Sequence, residues 1–218
     1  MPKKSGPSPR KAPKQERSKS LVESIVIAAT RVFRKIEFHV ATTNTIAEVA
    51  GVSVGSLYQY FPNKDSLVGL LVDRRINEQL TVLEELLNNS ENKSIEEIFE
   101  KIIRMFAQDS FKNRTFLRTL YDRGMVLGMV PAVVKTRKKA CLLLEDFLTR
   151  KYGSRLQVAN IPRAAFCLVN GTLGIITAAV VMTDSDPIED EKLIQDLISL
   201  SMKFLFSSFT SPIPHQHP

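Results

Sequence analysis

The stretch from residue 42 to 61, TTNTIAEVAGVSVGSLYQYF, constrains this chain more than any other. Two short helical patterns, near Thr43–Ala50 and Val54–Tyr60, are separated by Gly51, Val52 and Ser53. Two short helices can pack at a steep angle only if several local conditions are met together. Ala47 is small enough to let them approach. Gly51 can take the left-handed conformation that the tight turn needs. Ile46, Ala50, Val52 and Leu57 fall where side chains bury between the helices, and Ser53 is placed to cap the second one. Outward on that second helix go Ser56, Tyr58, Gln59 and Tyr60. Val54 stands at its start, and Gly55 allows close backbone approach. Phe61 reads as core. A helix with this face fits the major groove of DNA, where hydroxyls and an amide bond to bases or phosphates. Gln59 is the candidate direct base reader, because its amide pairs bidentately with adenine.

Charge supports the same direction. The chain is +7, with a pI of about 9.5, and the excess is not spread evenly. The first twenty residues hold seven basic groups against one acid, Glu16, together with Pro2, Pro7, Pro9 and Pro13. Such a segment buries too little to fold, so residues 1–17 read as a disordered basic arm that attracts polyanions. No apolar run follows that would make it a signal peptide. Two cysteines (Cys141, Cys167) and three histidines, two of them in the Pro-rich tail, leave little material for a thiolate zinc site, a poly-His site or a Ser-His-Asp arrangement. No metal or cofactor is expected.

Helical periodicity runs through the rest of the chain, with no strand alternation. Leu21, Ile25, Ala28, Ala29, Val32, Phe33 and Ile36 form one helix, with Ser20 and Glu23 as a candidate capping box. A long helix follows Asn63 and reaches Leu87. Ser94 and Glu97 open the next, to about Phe111. Further helices fit 114–127, 131–152 and 161–182, and a last one should start at Asp186 and Pro187 and end near Phe209. The fold class is all-α, with about nine helices.

The residues Phe33, Thr42, Thr43, Ile46, Ala47, Ala50–Ser53, Gly55, Leu57, Tyr58, Tyr60, Phe61, Lys64 and Leu67 resemble the N-terminal signature of the TetR family of bacterial transcriptional regulators. Glu37 departs from it, standing where the family usually has glycine. The resemblance covers about 17–72 and implies an N-terminal three-helix helix-turn-helix domain (18–62), followed by a C-terminal helical ligand-binding and dimerisation domain (63–210). Within the latter, 63–87 would be a connecting helix, and residues 211–218 a disordered tail. It implies that Thr43 meets phosphate at the start of the second helix, and that Lys64 does so at the start of the fourth. Ser53, Ser56, Tyr58, Gln59 and Tyr60 would contact bases or phosphates.

The resemblance also directs attention to the C-terminal half. Met105, Phe106, Phe116, Leu120, Tyr121, Met125, Met129, Phe147, Phe166 and Asn170 are aromatic, Met or polar residues at helical spacing. Such residues usually form core, but the family implies that some of them line a cavity, with Tyr121 and Asn170 orienting a mostly apolar ligand. Asp122 beside Arg123, and Glu145 beside Asp146, read most simply as solvated or paired helix charges. The uncharged run 164–182 has the length of a membrane span. Asn170, Thr172, Thr177 and its glycines argue instead for a helix covered on nearly all sides. Paired with Leu193, Leu197, Leu200, Phe204 and Leu205 of the last helix, it would build a four-helix interface between two subunits, where the family places its dimer contact. Both cysteines should then be small buried hydrophobes.

The reading is a cytoplasmic bacterial homodimer that binds double-stranded DNA and is not an enzyme. It would be a repressor released from a near-palindromic operator by a small-molecule effector. The alternatives are a helical enzyme with an appended DNA-binding module, an activator, and a membrane-surface protein held by its arm.

Overall fold

The structure, a computed structural model, describes residues 16–181 and 190–207. The expected tail, most of the expected arm and the expected helix start at Asp186 and Pro187 lie outside the described residues. Among the described residues there are nine α-helices, one short 3-10 turn at Gly153–Arg155, and no strand. In chain order these are α1 (Glu16–Lys35), α2 (Thr43–Ala50), α3 (Val54–Tyr60), α4 (Lys64–Asn88), α5 (Ile95–Lys112), α6 (Arg114–Val126), α7 (Val130–Lys151), α8 (Ile161–Val181) and α9 (Asp190–Phe206).

Local chemistry accounts for most of these boundaries. Ser94 and Glu97 form the expected reciprocal capping box on α5. The Asn63 side chain accepts from the Ser66 amide at the start of α4, and Pro131 stands in the first turn of α7. The capping box expected at Ser20 does not form. α1 begins a turn earlier, so Ser20 is already inside the helix. Glu23 instead takes a bidentate bond from Arg74 of α4, at 2.8 and 2.7 Å, a stronger partner than a backbone amide.

Two hydrophobic cores result, and they do not divide at residue 62. One core joins α1, α2 and α3 to the first half of α4 through Leu67, Val68, Leu71 and Val72. It also takes in Phe116 and Leu120 of α6, and Met129. The other holds α5, α7, α8 and α9 around the far end of α4, at Leu83 and Leu87. α4 is 25 residues long, about 37 Å at the usual helical rise, so one rigid rod crosses both cores.

Three features of α8 and α9 stand out within the single chain. Its own chain does not cover α8 on nearly all sides. Ala164, Leu168, Ile176 and Val180 are buried, while Phe166, Cys167, Gly171, Gly174 and Ile175 stay exposed. Cys167 is therefore exposed and Cys141 half-buried, neither a fully buried hydrophobe. The apolar stripe on α9 splits as well. Ile194, Leu197 and Leu205 turn into the chain's own core, whereas Leu200 remains 57% exposed. α8 is the one described helix long and apolar enough to cross a membrane, by length and composition alone.

Candidate nucleic-acid interface and adjoining cavity

The turn between α2 and α3 is closed entirely by nearby atoms. The Thr42 hydroxyl accepts from the Thr45 amide at 3.0 Å and caps α2. Gly51 ends that helix at φ 67°, ψ 31°. Its N–H donates to the Glu48 carbonyl and that of Val52 donates to the Ala47 carbonyl, both at 3.0 Å, which is how a left-handed residue satisfies the last carbonyls of a helix. Ser53 caps α3 by accepting from the Ser56 amide at 3.0 Å. Ile46, Ala47, Leu57 and Phe61 are essentially inaccessible.

With Leu57 and Phe61 pinned inward, Gly55, Tyr58 and Gln59 face solvent and Val54 and Ser56 are partly exposed. The Tyr58 hydroxyl lies 2.9 Å from that of Thr43, which ties the outer face of α3 to the start of α2. The Ser53 and Ser56 hydroxyls are likewise paired, at 2.8 Å. This outer face carries no charge, so it offers hydroxyls and one amide to a groove.

Two expected contact residues sit elsewhere. Tyr60 is turned into the core at 9% exposure, because it lies on the same side of α3 as Leu57. The Lys64 ammonium is not displayed. It donates to the carbonyls of Phe38 and Ala41, at 2.7 and 2.6 Å, and stands 4.4 Å from the centre of the Phe38 ring. Lys64 thus closes the turn between α1 and α2, the turn that carries Glu37.

Arg123 of α6 approaches the same ring, with its guanidinium carbon 4.7 Å from the ring centre. Its Nε and a terminal nitrogen donate to Asp65, at 3.0 and 2.7 Å. Asp65 lies in the first turn of α4, where the helix dipole also favours an acid. One aromatic ring is therefore held by two cations from different elements, an arrangement that stabilises both. Sequence reading missed this cluster. Arg123 and Asp65 are 58 residues apart, and neither position has a local signal of pairing.

A cavity of about 800 Å³ opens beside this junction between α6, α7 and α8, within the size range of small-molecule sites. Of the expected ligand residues it brings together Leu120, Tyr121, Met125, Met129, Phe166 and Asn170. A smaller space of about 200 Å³ adjoins it, lined by Phe106 and again by Leu120 and Tyr121. Met105 and Phe116 do not join them. They line a separate cleft with α1 and α4 residues such as Thr30 and Arg74. Phe147 lines none of these. It is 3% exposed in the C-terminal core and packs edge-on against Tyr152, because it lies on the face of α7 that meets that core.

The α7 wall was also missed, although it has a sequence signal. Val130, Val133, Val134, Arg137, Lys138 and Cys141 recur at spacings of three and four and all line the cavity. Asn170 of α8 donates to the Phe166 carbonyl at 2.9 Å and lies 3.8 Å from the Cys141 sulfur. Burial pushes the Cys141 thiol above its ordinary pKa and keeps it protonated.

The profile described as "Bacterial regulatory proteins, tetR family" matches residues 25–71, the segment that contains this turn. The chain carries a TetR-family DNA-binding domain. It is accordingly a DNA-binding regulator of transcription. A search of the curated proteins finds no match. Solved structures share the fold at low identity. One from Mesorhizobium loti, described as a TetR-family transcriptional regulator, is 18% identical, with a TM-score of 0.67 over 87% of this chain and 97% of its own. A transcriptional regulator from Cytophaga hutchinsonii is 20% identical, with a TM-score of 0.69 over 84% and 95%. NalD, the secondary repressor of the MexAB-OprM multidrug efflux pump in Pseudomonas aeruginosa, is 18% identical, with a TM-score of 0.61 over 87% and 98%. The TetR-like architecture therefore extends beyond the N-terminal domain, through the helices that build the cavity.

Proposed function

We propose that this protein is a cytoplasmic homodimeric repressor whose grip on a near-palindromic operator is released by a small, mostly apolar ligand in the cavity between α6, α7 and α8. The observation that carries the reading is shared lining. Val72, Leu120 and Met129 are buried members of the DNA domain's own core and also face the cavity. A ligand there touches the same core that holds α1, and α1 together with α2 packs against α3. Arg123 on the same α6 holds Asp65 and Phe38, so a shift of α6 reaches the turn before α2 as well.

On DNA, Thr43, Ser53 and Ser56 would meet phosphates, Gly55 and Val54 would allow close approach, and Tyr58 and Gln59 would reach base edges. Lys64 would act by holding the turn between α1 and α2. The exposed Cys167, Gly171 and Ile175 of α8, which do not line the cavity, together with Leu200 of α9, support pairing of two copies. Two α3 helices would then read major grooves about 34 Å apart. A ligand acts only through different affinity for two conformers, here conformers that differ in that spacing. NalD, similar in fold, is described as a repressor, which supports the same sign of regulation. A gel-shift titration on the chain's own upstream DNA tests the reading. A specific complex at low protein concentration is expected, and its absence on every intergenic fragment at low salt would overturn it.

A further inference from the structure

The charges around the cavity narrow what it takes. The two adjoining spaces share Val72, Leu120, Tyr121, Val133, Arg137 and Thr177, so Arg137 stands where they meet. No carboxylate lines either space. Three cations do: Arg75, Arg137 and Lys138. Arg75 is neutralised by Asp109 at 2.6 Å. Arg137 has no carboxylate bonded to it among the described residues, and it belongs to the run Lys135, Arg137, Lys138 and Lys139, where α7 has no acid before Glu145. Tyr121 lines both spaces as well, and its hydroxyl makes no hydrogen bond to a described residue. Around them the walls are apolar: Met125, Val134 and Phe166, with space left where Gly174 has no Cβ neighbour within 4 Å.

We infer, building on the effector reading above, that the ligand is an anionic amphiphile, a carboxylate on an aliphatic chain. Its head is bound by Arg137 and Tyr121, and its chain lies along Met125, Val134 and Phe166. A guanidinium presents two parallel N–H groups that match a carboxylate and no neutral head. A neutral apolar ligand would leave that cation buried beneath it without a partner, which is unfavourable. The apolar walls contribute affinity in proportion to chain length, about fourfold per methylene.

The test uses the full chain with Cys167→Ser, which leaves Cys141 as the single thiol, and follows maleimide labelling of Cys141. The probes are dodecanoate, decanoate and dodecanol, each below its aggregation concentration. Dodecanoate should protect Cys141 at a concentration about tenfold or more below dodecanol, and decanoate should be weaker by roughly fifteenfold, for two methylenes. Arg137→Met should bring dodecanoate to the level of dodecanol, with the circular dichroism of the fold retained. If dodecanol protects as well as dodecanoate and Arg137→Met moves neither, the anionic class is wrong while the cavity reading stands. If no probe protects Cys141 and protection instead rises with protein concentration, a second copy covers this face, and the inference and the effector reading fall together.

Discussion

Thr42, Ser53 and Asn63 each cap the helix that follows, through a side-chain oxygen and the amide three residues on. Nothing comparable holds α6 or α7, whose N-termini have no side-chain cap. The helix starts of the DNA domain are thus closed by contacts within a few residues, and Ile46, Leu57 and Phe61 behind them are fully buried. The α6–α7 region is held by contacts from afar: Arg123 on Asp65, Arg114 and Arg118 on the carbonyls at the end of α8. It also borders the cavity and keeps Met125, Val126 and Val134 exposed. A region with few local ties and open apolar surface rearranges at lower free-energy cost than a sealed one. The difference places rigidity at the reading head and adjustability behind it.

Predictions that break or sharpen this contrast can be ranked by size. The largest concerns the sealed side. Leu57→Ala should cost about 2–5 kcal/mol, whereas Phe166→Ala, 60% exposed on the cavity wall, should stay within about 0.5 kcal/mol. Urea denaturation compares them, and equal losses would refute the contrast. Next, Gln59→Ala should lower discrimination at one adenine of the operator by about 1–3 kcal/mol with nonspecific binding kept, as read by gel shift on single-base operator variants.

Arg123→Met should cost about 1–2 kcal/mol, since it removes charge-assisted bonds between partly buried groups. It should also weaken the effect of ligand on operator affinity. Full coupling in this variant would place the route elsewhere. Deleting residues 1–14 removes five cations and no acid while stopping short of α1. It should weaken binding to all DNA and flatten its salt dependence, with operator preference surviving.

The smallest effect is a pH dependence in the regulatory half. Glu191 of α9 accepts two bonds from Arg104 of α5, each at 2.8 Å. Those bonds first, and Gln195 second, hold its carboxyl at about 2 against an ordinary 4.5. The folded-state value lies below the unfolded one, so the contribution is full above about pH 4.5 and is lost as pH falls toward 2. Glu191 is 61% exposed, so solvent screens the pair and the gain is small. Glu191→Gln should remove this slope from acid titrations followed by circular dichroism.

The helices were legible because their signals are periodic and their caps local: Gly51, Ser53, and Ser94 with Glu97 all act within a turn. Failures came where one residue had two possible faces or partners. Tyr60 and Gln59 are adjacent and both polar, and only the packing of α3 turned the tyrosine inward. Phe147 and Phe166 look alike in sequence. One meets the C-terminal core, and the other stays on the open side of α8. Lys64 carries a free cation's signature, yet it donates to two carbonyls at the α1–α2 turn.

The sequence alone determined an all-helical chain with a DNA-reading turn, because backbone caps and hydrophobic periodicity depend on neighbours three or four residues away. Only the tertiary structure decided that α6 completes the DNA domain's core. The same is true of the pairing of Arg123 with Asp65 and of the placement of Arg137, which has no carboxylate partner among the described residues, where two mostly apolar spaces meet. Those outcomes depend on which helix faces cross, and residues 58 apart carry no local trace of meeting.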